Sequence, residues 1–198
     1  MTATPRVLVA DDELALLDLY ATWLDDVDVD LVRAHCGAEA LSYCEDGEVD
    51  VAILDRHMPR VSGDEVLDSL RECPAGPRVA FVTAATPDVR IVDLDIDAYL
   101  TKPVERAKFV DLVHSLVHRE TLPETVDRYV EKLSKRAALL ESESQSVLRA
   151  DPVYSRLESE LSRLASRIDD YCLEDPYLCR TLTDGDGAGI GATFDPLA

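Results

Sequence analysis

The sequence predicts an α/β fold: a doubly wound, five-stranded parallel sheet followed by helices. Over residues 1–118, short apolar runs rich in β-branched residues alternate with amphipathic stretches. Runs of this kind are typical of strands covered on both faces, and their alternation with helices is typical of right-handed βα units. Polar residues also follow directly on several of the runs, as expected at the carboxyl edge of such a sheet, where open α/β folds bind ligands.

Five strands and four helices are predicted in this region. The strands are expected at Arg6–Ala10, Val29–Ala34, Val49–Leu54, Val79–Thr83 and Ala98–Leu100, in the flavodoxin-like spatial order 2-1-3-4-5. The helices are expected near 13–26, 37–46, 62–73 and 105–118. Between the last two strands there is room only for a short helix, for which Thr86-Pro87-Asp88 is the expected start.

Two longer helical patterns follow. Thr121-Leu-Pro-Glu124 has the form of a capping box with Pro123 inside the first turn, and Asp151-Pro152 begins the second helix. The two apolar stripes are Val126, Val130, Leu133, Ala137 and Leu140, then Tyr154, Leu157, Leu161, Leu164, Ile168 and Tyr171. Each is a seam of only two to three heptads. The helices therefore form either an antiparallel hairpin or a coiled coil in a homodimer.

These patterns divide the chain into three parts. We expect a first domain at 1–119, a helical hairpin or coiled-coil domain at 120–173, and an acidic tail rich in Gly and Asp at 174–198. The composition of the tail is typical of disordered segments.

The composition limits the class of protein. The net charge is −20, from 40 acidic and 20 basic residues, and only four of the bases are lysines. Such a surface suits a salt-rich cytoplasm, where self-repulsion is screened, although a merely acidic protein is the alternative. No apolar run approaches a membrane span, and the N-terminus lacks the build of a signal peptide, so we expect a cytoplasmic protein without membrane association. The five cysteines have no metal-ligand spacing.

Three carboxylates are predicted to meet at one edge of the sheet. Asp11 and Asp12 end the first strand and Asp55 ends the third, and these two strands are neighbours in the predicted order. At ~5 Å and an effective dielectric constant of 20, each pair repels by about 3 kcal/mol. A raised pKa or a hard divalent cation would compensate this repulsion, and Mg²⁺ suits a site of carboxylate oxygens and water.

Two further side chains are predicted at the same edge. Thr83 ends the fourth strand and offers a hydroxyl group, and Lys102 follows the fifth strand within YLTKP. An ammonium there can meet the negative charge of a phosphoryl group on Asp55. A nucleophilic carboxylate, a cation site, a lysine and a hydroxyl together suit phosphoryl transfer, in which positioning and charge neutralisation supply most of the catalysis.

The motifs resemble the receiver domain of two-component response regulators. They are the Asp11-Asp12 pair, the run Asp55-x-x-Met58-Pro59-x-x-x-Gly63, the Val-Thr-Ala around Thr83, and YLTKP around Lys102. The resemblance covers about residues 5–118. One departure is that only 18 residues separate Thr83 from Lys102, too few for the long fourth helix of most receivers.

The resemblance implies a role for each residue. Asp55 would accept a phosphoryl group from a phosphohistidine of a sensor histidine kinase. Asp11, Asp12, Asp55 and the backbone carbonyl of His57 would hold Mg²⁺. Lys102 would pair with the phosphoryl oxygens, Thr83 would turn inward to hydrogen-bond the phosphoryl group, and Tyr99 would be the switch aromatic that follows this turn. No enzyme activity is expected beyond self-phosphorylation from a phosphodonor and slow autodephosphorylation.

The segment 120–172 resembles the HalX domain, a helical module that follows receivers in salt-loving archaea. The phrases that carry the resemblance are RYVEKLSKRAALLESE and YSRLESELSRLASRIDD. We expect these helices to bind an unknown protein target. The alternative is a DNA-binding transcriptional regulator, for which the basic residues would be Arg128, Lys132, Lys135, Arg136, Arg149, Arg156 and Arg163. Glutamates interleave with them, and no recognition helix is evident, so an interaction module is the preferred interpretation.

Overall fold

The computed structural model describes residues 4–45, 49–72, 76–119 and 122–174. Its strands are β1 (Arg6–Ala10), β2 (Asp30–Ala34), β3 (Val51–Leu54), β4 (Arg78–Thr83) and β5 (Ala98–Thr101). The α-helices are α1 (Leu14–Leu24), α2 (Gly37–Glu45), α3 (Gly63–Arg71), α4 (Arg106–His118), α5 (Glu124–Ser142), α6 (Gln145–Leu148) and α7 (Pro152–Glu174). A short 3-10 helix, Val89–Asp93, precedes β5.

The five strands form one parallel sheet in the order β2-β1-β3-β4-β5, which confirms the predicted fold and strand order. All four residues of β3 are buried, as expected for a central strand with helices on both faces. The register pairs Ala10 with Leu54, so β1 and β3 end side by side and the residues that follow them share one edge. The predicted bounds differ from the observed ones by up to two residues.

Helix α3 begins where local sequence chemistry specifies it. The Ser62 hydroxyl accepts a hydrogen bond from the Glu65 backbone N–H, and the Glu65 carboxylate accepts one from the Ser62 N–H at 2.8 Å. This reciprocal capping box satisfies two amides that have no partner inside the helix. The helix is therefore fixed directly after the loop that follows β3.

The described chain forms two compact units. The first contains the described residues up to Thr86 together with Asp95–Val110, and the second contains Pro87–Leu94 and the described residues from Asp111 onward. The segment Pro87–Leu94, which includes the 3-10 helix, thus belongs with the C-terminal helices although it connects β4 to β5. The predicted short helix starts as expected, because the Asp88 side chain accepts a hydrogen bond from the Arg90 N–H at 2.8 Å.

In the second unit, α5 and α7 pack against each other within one chain as an antiparallel hairpin. Lys132 pairs with Glu160 at 3.2 Å and Arg136 with Glu158 at 2.6 Å, so residue numbers rise along α5 as they fall along α7. At the far end, buried Val126 and Ile168 pack together with Leu122, Tyr129 and Val130 around them. Of the two predicted alternatives, the structure shows the antiparallel hairpin within one chain.

The apolar stripe of α7 is confirmed over its described side chains, but that of α5 is wrong in its C-terminal half. Ala137 is exposed, and the buried residues there are Lys135, Ala138 and Leu139. The reason is that α5 packs on both α7 and the 3-10 helix, so its buried face is not a single heptad seam. Pro123 lies just before the first turn of α5 rather than inside it.

Several other predictions lie outside the described residues or are not tested. The proposed cap Thr121 and the acidic tail from residue 175 fall outside the described ranges. Asp151 does cap α7, since its carboxylate accepts a hydrogen bond from the Val153 N–H at 2.7 Å. The domain bounds at 119 and 173 stay predictions. Among the described helices, none combines the length and apolar character that crossing a bilayer requires.

Candidate functional site

Three carboxylates lie together where β1 and β3 end. The Asp55 backbone N–H donates to the Ala10 carbonyl at 2.8 Å, and the Asp11 N–H donates to the Ala34 carbonyl at 3.1 Å. The ladder of the sheet therefore continues into both residues and fixes their backbones. Asp11, Asp12 and Asp55 each offer an oxygen within 4.8 Å of the others, and only Asp12 among them is exposed. The predicted cluster is present.

The ammonium of Lys102 bridges two of these carboxylates. Its Nζ lies 2.7 Å from Asp11 Oδ2 and 3.0 Å from Asp55 Oδ2, and its side chain is only 10% exposed. The Lys102 backbone N–H donates to the Thr83 carbonyl at 2.8 Å, which ties the loop after β5 to the end of β4. The Lys102–Pro103 peptide bond is cis. One buried cation therefore offsets the repulsion between two buried anions.

Asp11 and Asp55 have opposite pKa shifts although they share this ammonium. Burial raises the pKa of Asp11 and outweighs its hydrogen bonds from Lys102 and the Glu13 N–H. Burial also acts to raise the pKa of Asp55, but hydrogen bonds from Thr83, Lys102 and the His57 N–H lower it below its ordinary value. Burial likewise opposes charge on Lys102, yet its pairing with the two carboxylates raises its pKa. The hydrogen bonds that Asp55 accepts therefore favour its charged form more than those of Asp11 favour the charged form of Asp11.

Thr83 and Tyr99 connect Asp55 to the loop after β4. Thr83 is fully buried, its hydroxyl interacts with the Asp55 carboxylate, and it also accepts a hydrogen bond from the Ala85 N–H at 3.3 Å. The buried Tyr99 hydroxyl donates to the Ala85 carbonyl at 2.7 Å. Both side chains therefore hydrogen-bond the Ala85 backbone. A shift of the Thr83 hydroxyl would act on Ala85 and the residues after it.

The loop after Asp55 is held by backbone contacts. The His57 N–H donates to Asp55 Oδ1 at 3.2 Å, while the His57 side chain is exposed. A Cβ atom on Gly63 would lie 2.2 Å from the Asp55 carbonyl oxygen, and the Gly63 N–H donates to the Arg56 carbonyl at 3.0 Å. Only glycine permits this close approach. The glycine that ends the sequence motif therefore sets the position of the Asp55 backbone.

Two aromatic residues beside the site were not singled out from the sequence. Tyr20 on α1 stacks on Phe109 with ring centroids 4.3 Å apart, and burial raises the pKa of Tyr20 to about 12. Trp23 lies one helical turn further on and tilts against both rings. The periodic apolar positions of α1 predict that such residues are buried, but not that their partner is Phe109 on a distant helix.

A second group of side chains with metal-ligand atoms lies at the start of α2. It consists of His35, Cys36 and Glu39. The Glu39 carboxylate accepts a hydrogen bond from the His35 backbone N–H at 2.8 Å, as glutamate does at the beginning of many helices. Helix capping accounts for this arrangement, and we assign it no binding role.

Comparison with known families decides the classification of the first unit. The family described as response regulator receiver domain matches residues 7–114, which is more than half of the chain. The chain belongs to the response regulator receiver family. The HalX domain family matches residues 118–176, so both predicted resemblances are confirmed.

Relatives of the response regulator span different parts of the chain. A Haloferax volcanii protein with the provisional name of transcriptional regulator is 41% identical over 155 residues, which cover 78% of this chain and 26% of that protein. The transcriptional regulatory protein CutR of Streptomyces coelicolor is 35% identical over 123 residues, covering 60% of this chain and 56% of CutR. The chain therefore spans from about a quarter to just over half of the length of these curated relatives.

A solved structure shows the same fold. The receiver domain of the Francisella response regulator 1452 is 28% identical, with a TM-score of 0.55 over 59% of this chain and 99% of that chain. The likeness accounts for nearly all of the Francisella domain, although only the short 3-10 helix Val89–Asp93 lies between β4 and β5 here.

The close approach of Gly63 gives a first prediction. Gly63→Ala places a methyl group against the Asp55 carbonyl, so either the loop or the start of α3 must shift. We expect the free energy of unfolding to fall by at least about 1–3 kcal/mol, the usual effect of an overpacked site. Denaturant unfolding in KCl measures it. Ser69→Ala, at an exposed position of the same helix, is the control and should change stability by less than about 0.5 kcal/mol. Equal stabilities for the two variants would contradict the proposed crowding.

Proposed function

We propose that the chain is a phosphoacceptor switch in a two-component phosphorelay and that Asp55 is the acceptor. The observation that carries the proposal is the Lys102 ammonium held between Asp11 and Asp55 beside the buried Thr83 hydroxyl. The hydrogen bonds to Asp55 lower its pKa. The ammonium beside it would meet the negative charge that develops on a transferred phosphoryl group.

The carboxylate cluster fits Mg²⁺. Oxygen atoms of Asp11, Asp12 and Asp55 lie close enough to share one ion, and carboxylates with water are the ligands that Mg²⁺ prefers. We propose that the His57 backbone carbonyl completes the protein ligands. When bound, the ion would neutralise charge on the phosphoryl oxygens and on the clustered carboxylates.

The proposed transfer uses the Asp55 carboxylate as a nucleophile. A carboxylate oxygen attacks phosphorus, the P–N bond to the donor imidazole breaks, and the electron pair stays on the imidazole nitrogen, which takes up a proton. The product is an acyl phosphate, whose oxygens Lys102 and Thr83 would contact. In slow autodephosphorylation, water attacks the same phosphorus, inorganic phosphate leaves and the carboxylate is regenerated. We propose no other enzyme activity.

The proposed phosphodonor is a sensor histidine kinase. A cleft beside Lys102 is lined mainly by apolar atoms, from Leu16, Leu19, Tyr20, Trp23, Ala84, Pro103 and Val104. Its volume of about 420 Å³ leaves room for part of a donor next to Asp55. Since a phosphohistidine must reach Asp55 from outside, an apolar surface next to the cation is a suitable place for the donor protein to dock.

For the output, we propose that the C-terminal helices bind a protein target. Most members of the basic stripe on α5 already form ion pairs within the chain. Lys132 pairs with Glu160, Lys135 with Glu131, and Arg136 with Glu158. Charges paired in this way release few counterions from DNA phosphates, so they supply little affinity for DNA.

The acceptor is tested by substitution. In KCl and Mg²⁺, the wild-type chain should incorporate phosphate from a small phosphodonor such as acetyl phosphate, and Asp55→Ala should incorporate none, because the attacking oxygen is gone. Intact-mass spectrometry measures the added phosphate. Asp64→Ala, which removes a nearby carboxylate on α3, should still incorporate phosphate. Incorporation that persists in Asp55→Ala would place the acceptor elsewhere.

The lysine is expected to couple phosphorylation to output rather than to bind the metal. Lys102→Ala removes the cation that offsets the clustered carboxylates, so Mg²⁺ should bind at least as tightly as in the wild-type chain. Titration of the single tryptophan, Trp23, which lines the same cleft, measures binding. A phosphodonor should then no longer change hydrogen exchange in α5 and α7. Lys108→Ala is the control at an exposed lysine, and weakened Mg²⁺ binding in Lys102→Ala alone would refute the assigned role.

The DNA alternative is tested separately. We expect no sequence-selective retardation of genomic fragments in a gel-shift assay at high salt, with or without phosphodonor, because the basic stripe is occupied by ion pairs. Asp55→Ala serves as the control that cannot respond to the donor. Selective retardation that strengthens when the wild-type chain is phosphorylated would instead favour a DNA-binding regulator.

A further inference from the structure

The segment Pro87–Leu94 is held at both ends by side chains of α5. The Ser142 hydroxyl is shared between the Pro87 carbonyl at 3.1 Å and the Leu139 carbonyl of its own helix at 2.9 Å. Lys135 Nζ donates to the Leu94 carbonyl at 2.7 Å. The two side chains are seven residues apart, about 10 Å along the helix and nearly on the same face. One face of α5 therefore fixes both the entry to and the exit from the 3-10 helix.

A third contact comes from α7. Arg156 forms an ion pair with Asp93, the last residue of the 3-10 helix. Within the segment, Ile91 and Val92 are buried, and the Leu94 N–H donates to the Ile91 carbonyl at 3.3 Å. Both long C-terminal helices thus contact the segment, and the strongest polar contacts are at its C-terminal end.

Lys135 is the central residue of this arrangement. Its side chain is 1% exposed, and its ammonium is balanced by Glu131 at 2.6 Å on the same helix. Burying a charged group is costly unless it is paired and hydrogen-bonded, and an aliphatic residue would fill the same space without that cost. The ammonium is therefore best explained by what it binds, which is the carbonyl group that ends the segment.

The chain connects this segment directly to the groups around Asp55. On one side, only Ala84, Ala85 and Thr86 separate Pro87 from Thr83, whose hydroxyl contacts Asp55. On the other side, β5 begins four residues after Leu94 and carries Tyr99, whose hydroxyl holds Ala85. Three residues of chain are therefore the covalent path by which a displacement of Thr83 could reach Pro87.

We propose that Lys135 is a positioning residue that holds the segment Pro87–Leu94 in its unphosphorylated arrangement. The C-terminal helices sense phosphorylation of Asp55 through this segment, and they oppose it while the contacts last. This inference rests on the proposed function of Asp55. Coupling of this kind is reciprocal: if phosphorylation weakens the contacts, then removing the contacts favours phosphorylation.

The test compares two lysines of the same helix. Lys135→Met keeps an apolar side chain of similar length but removes the ammonium. Lys132→Met is the matched control, because the ammonium of Lys132 pairs with Glu160 on α7. With acetyl phosphate and Mg²⁺, the steady-state ratio of phosphorylated to unphosphorylated chain should be about fivefold higher or more in Lys135→Met, the lower end of usual coupling energies. Lys132→Met should match the wild-type ratio.

Hydrogen exchange provides the second readout. In Lys135→Met, the amides of Ile91 and Leu94 should exchange about fivefold faster or more before phosphorylation, and wild-type protein should show the same change after it. If Lys135→Met does not fold, as judged by circular dichroism, Ser142→Ala removes the contact at the other end of the segment. It should shift both readouts in the same direction.

The outcomes separate this inference from the proposed function. A wild-type chain that takes no phosphate on Asp55 overturns both. Equal steady-state phosphorylation of the wild-type chain and both methionine variants overturns the role of Lys135 but not the assignment of Asp55 as the acceptor. A lower phosphorylated fraction in Lys135→Met also overturns the role of Lys135, since the contacts would then favour the phosphorylated state.

Discussion

The site depends on one interaction, the placement of a single ammonium between two buried carboxylates. Without Lys102, Asp11 and Asp55 would repel each other at an edge where water is largely excluded. With it, the acidic cluster can exist in a folded chain. The burial of the bridge also matters for a chain with a net charge of −20. Salt screens exposed charges strongly but buried pairs much less, so this bridge persists at ionic strengths that weaken surface pairs.

The geometry around Asp55 is set mostly by backbone contacts rather than by side chains. The sheet ladder fixes Asp11 and Asp55, and the Gly63 backbone lies directly against the Asp55 carbonyl. A second close approach occurs at Gly37, where a Cβ atom would lie 2.3 Å from the Val61 carbonyl oxygen. The loop from Asp55 to Gly63 is thus held between the starts of two helices. This rigidity would suit the proposed role of Asp55, which requires the same carboxylate oxygen to be presented in each phosphorylation.

Much of the fold and of the site could be predicted from the sequence, because period and position carry the information. Buried parallel strands appear in the sequence as short runs of β-branched residues. Once the strand order is known, the polar residues that follow neighbouring runs must lie together at one edge of the sheet. The helical hairpin was less predictable. Ala137 was expected in the apolar stripe but is exposed, whereas Lys135 was expected on a basic surface but is buried. A periodic apolar pattern predicts one buried face, whereas α5 packs against two partners, α7 and the 3-10 helix. The carbonyl group that Lys135 binds belongs to a segment 41 residues away, which no local pattern reveals.

The scarcity of lysine has a chemical consequence. Of the four lysines, Lys102, Lys132 and Lys135 have side chains that are 10%, 13% and 1% exposed, while Lys108 is exposed. Enclosed amines react slowly with electrophiles, because the reagent cannot reach them. Among side-chain amines, acylating reagents and acetyl-transfer chemistry therefore meet essentially one accessible target on the folded molecule. A fluorescent label could be attached at Lys108 while the ammonium groups at the other three positions stay intact.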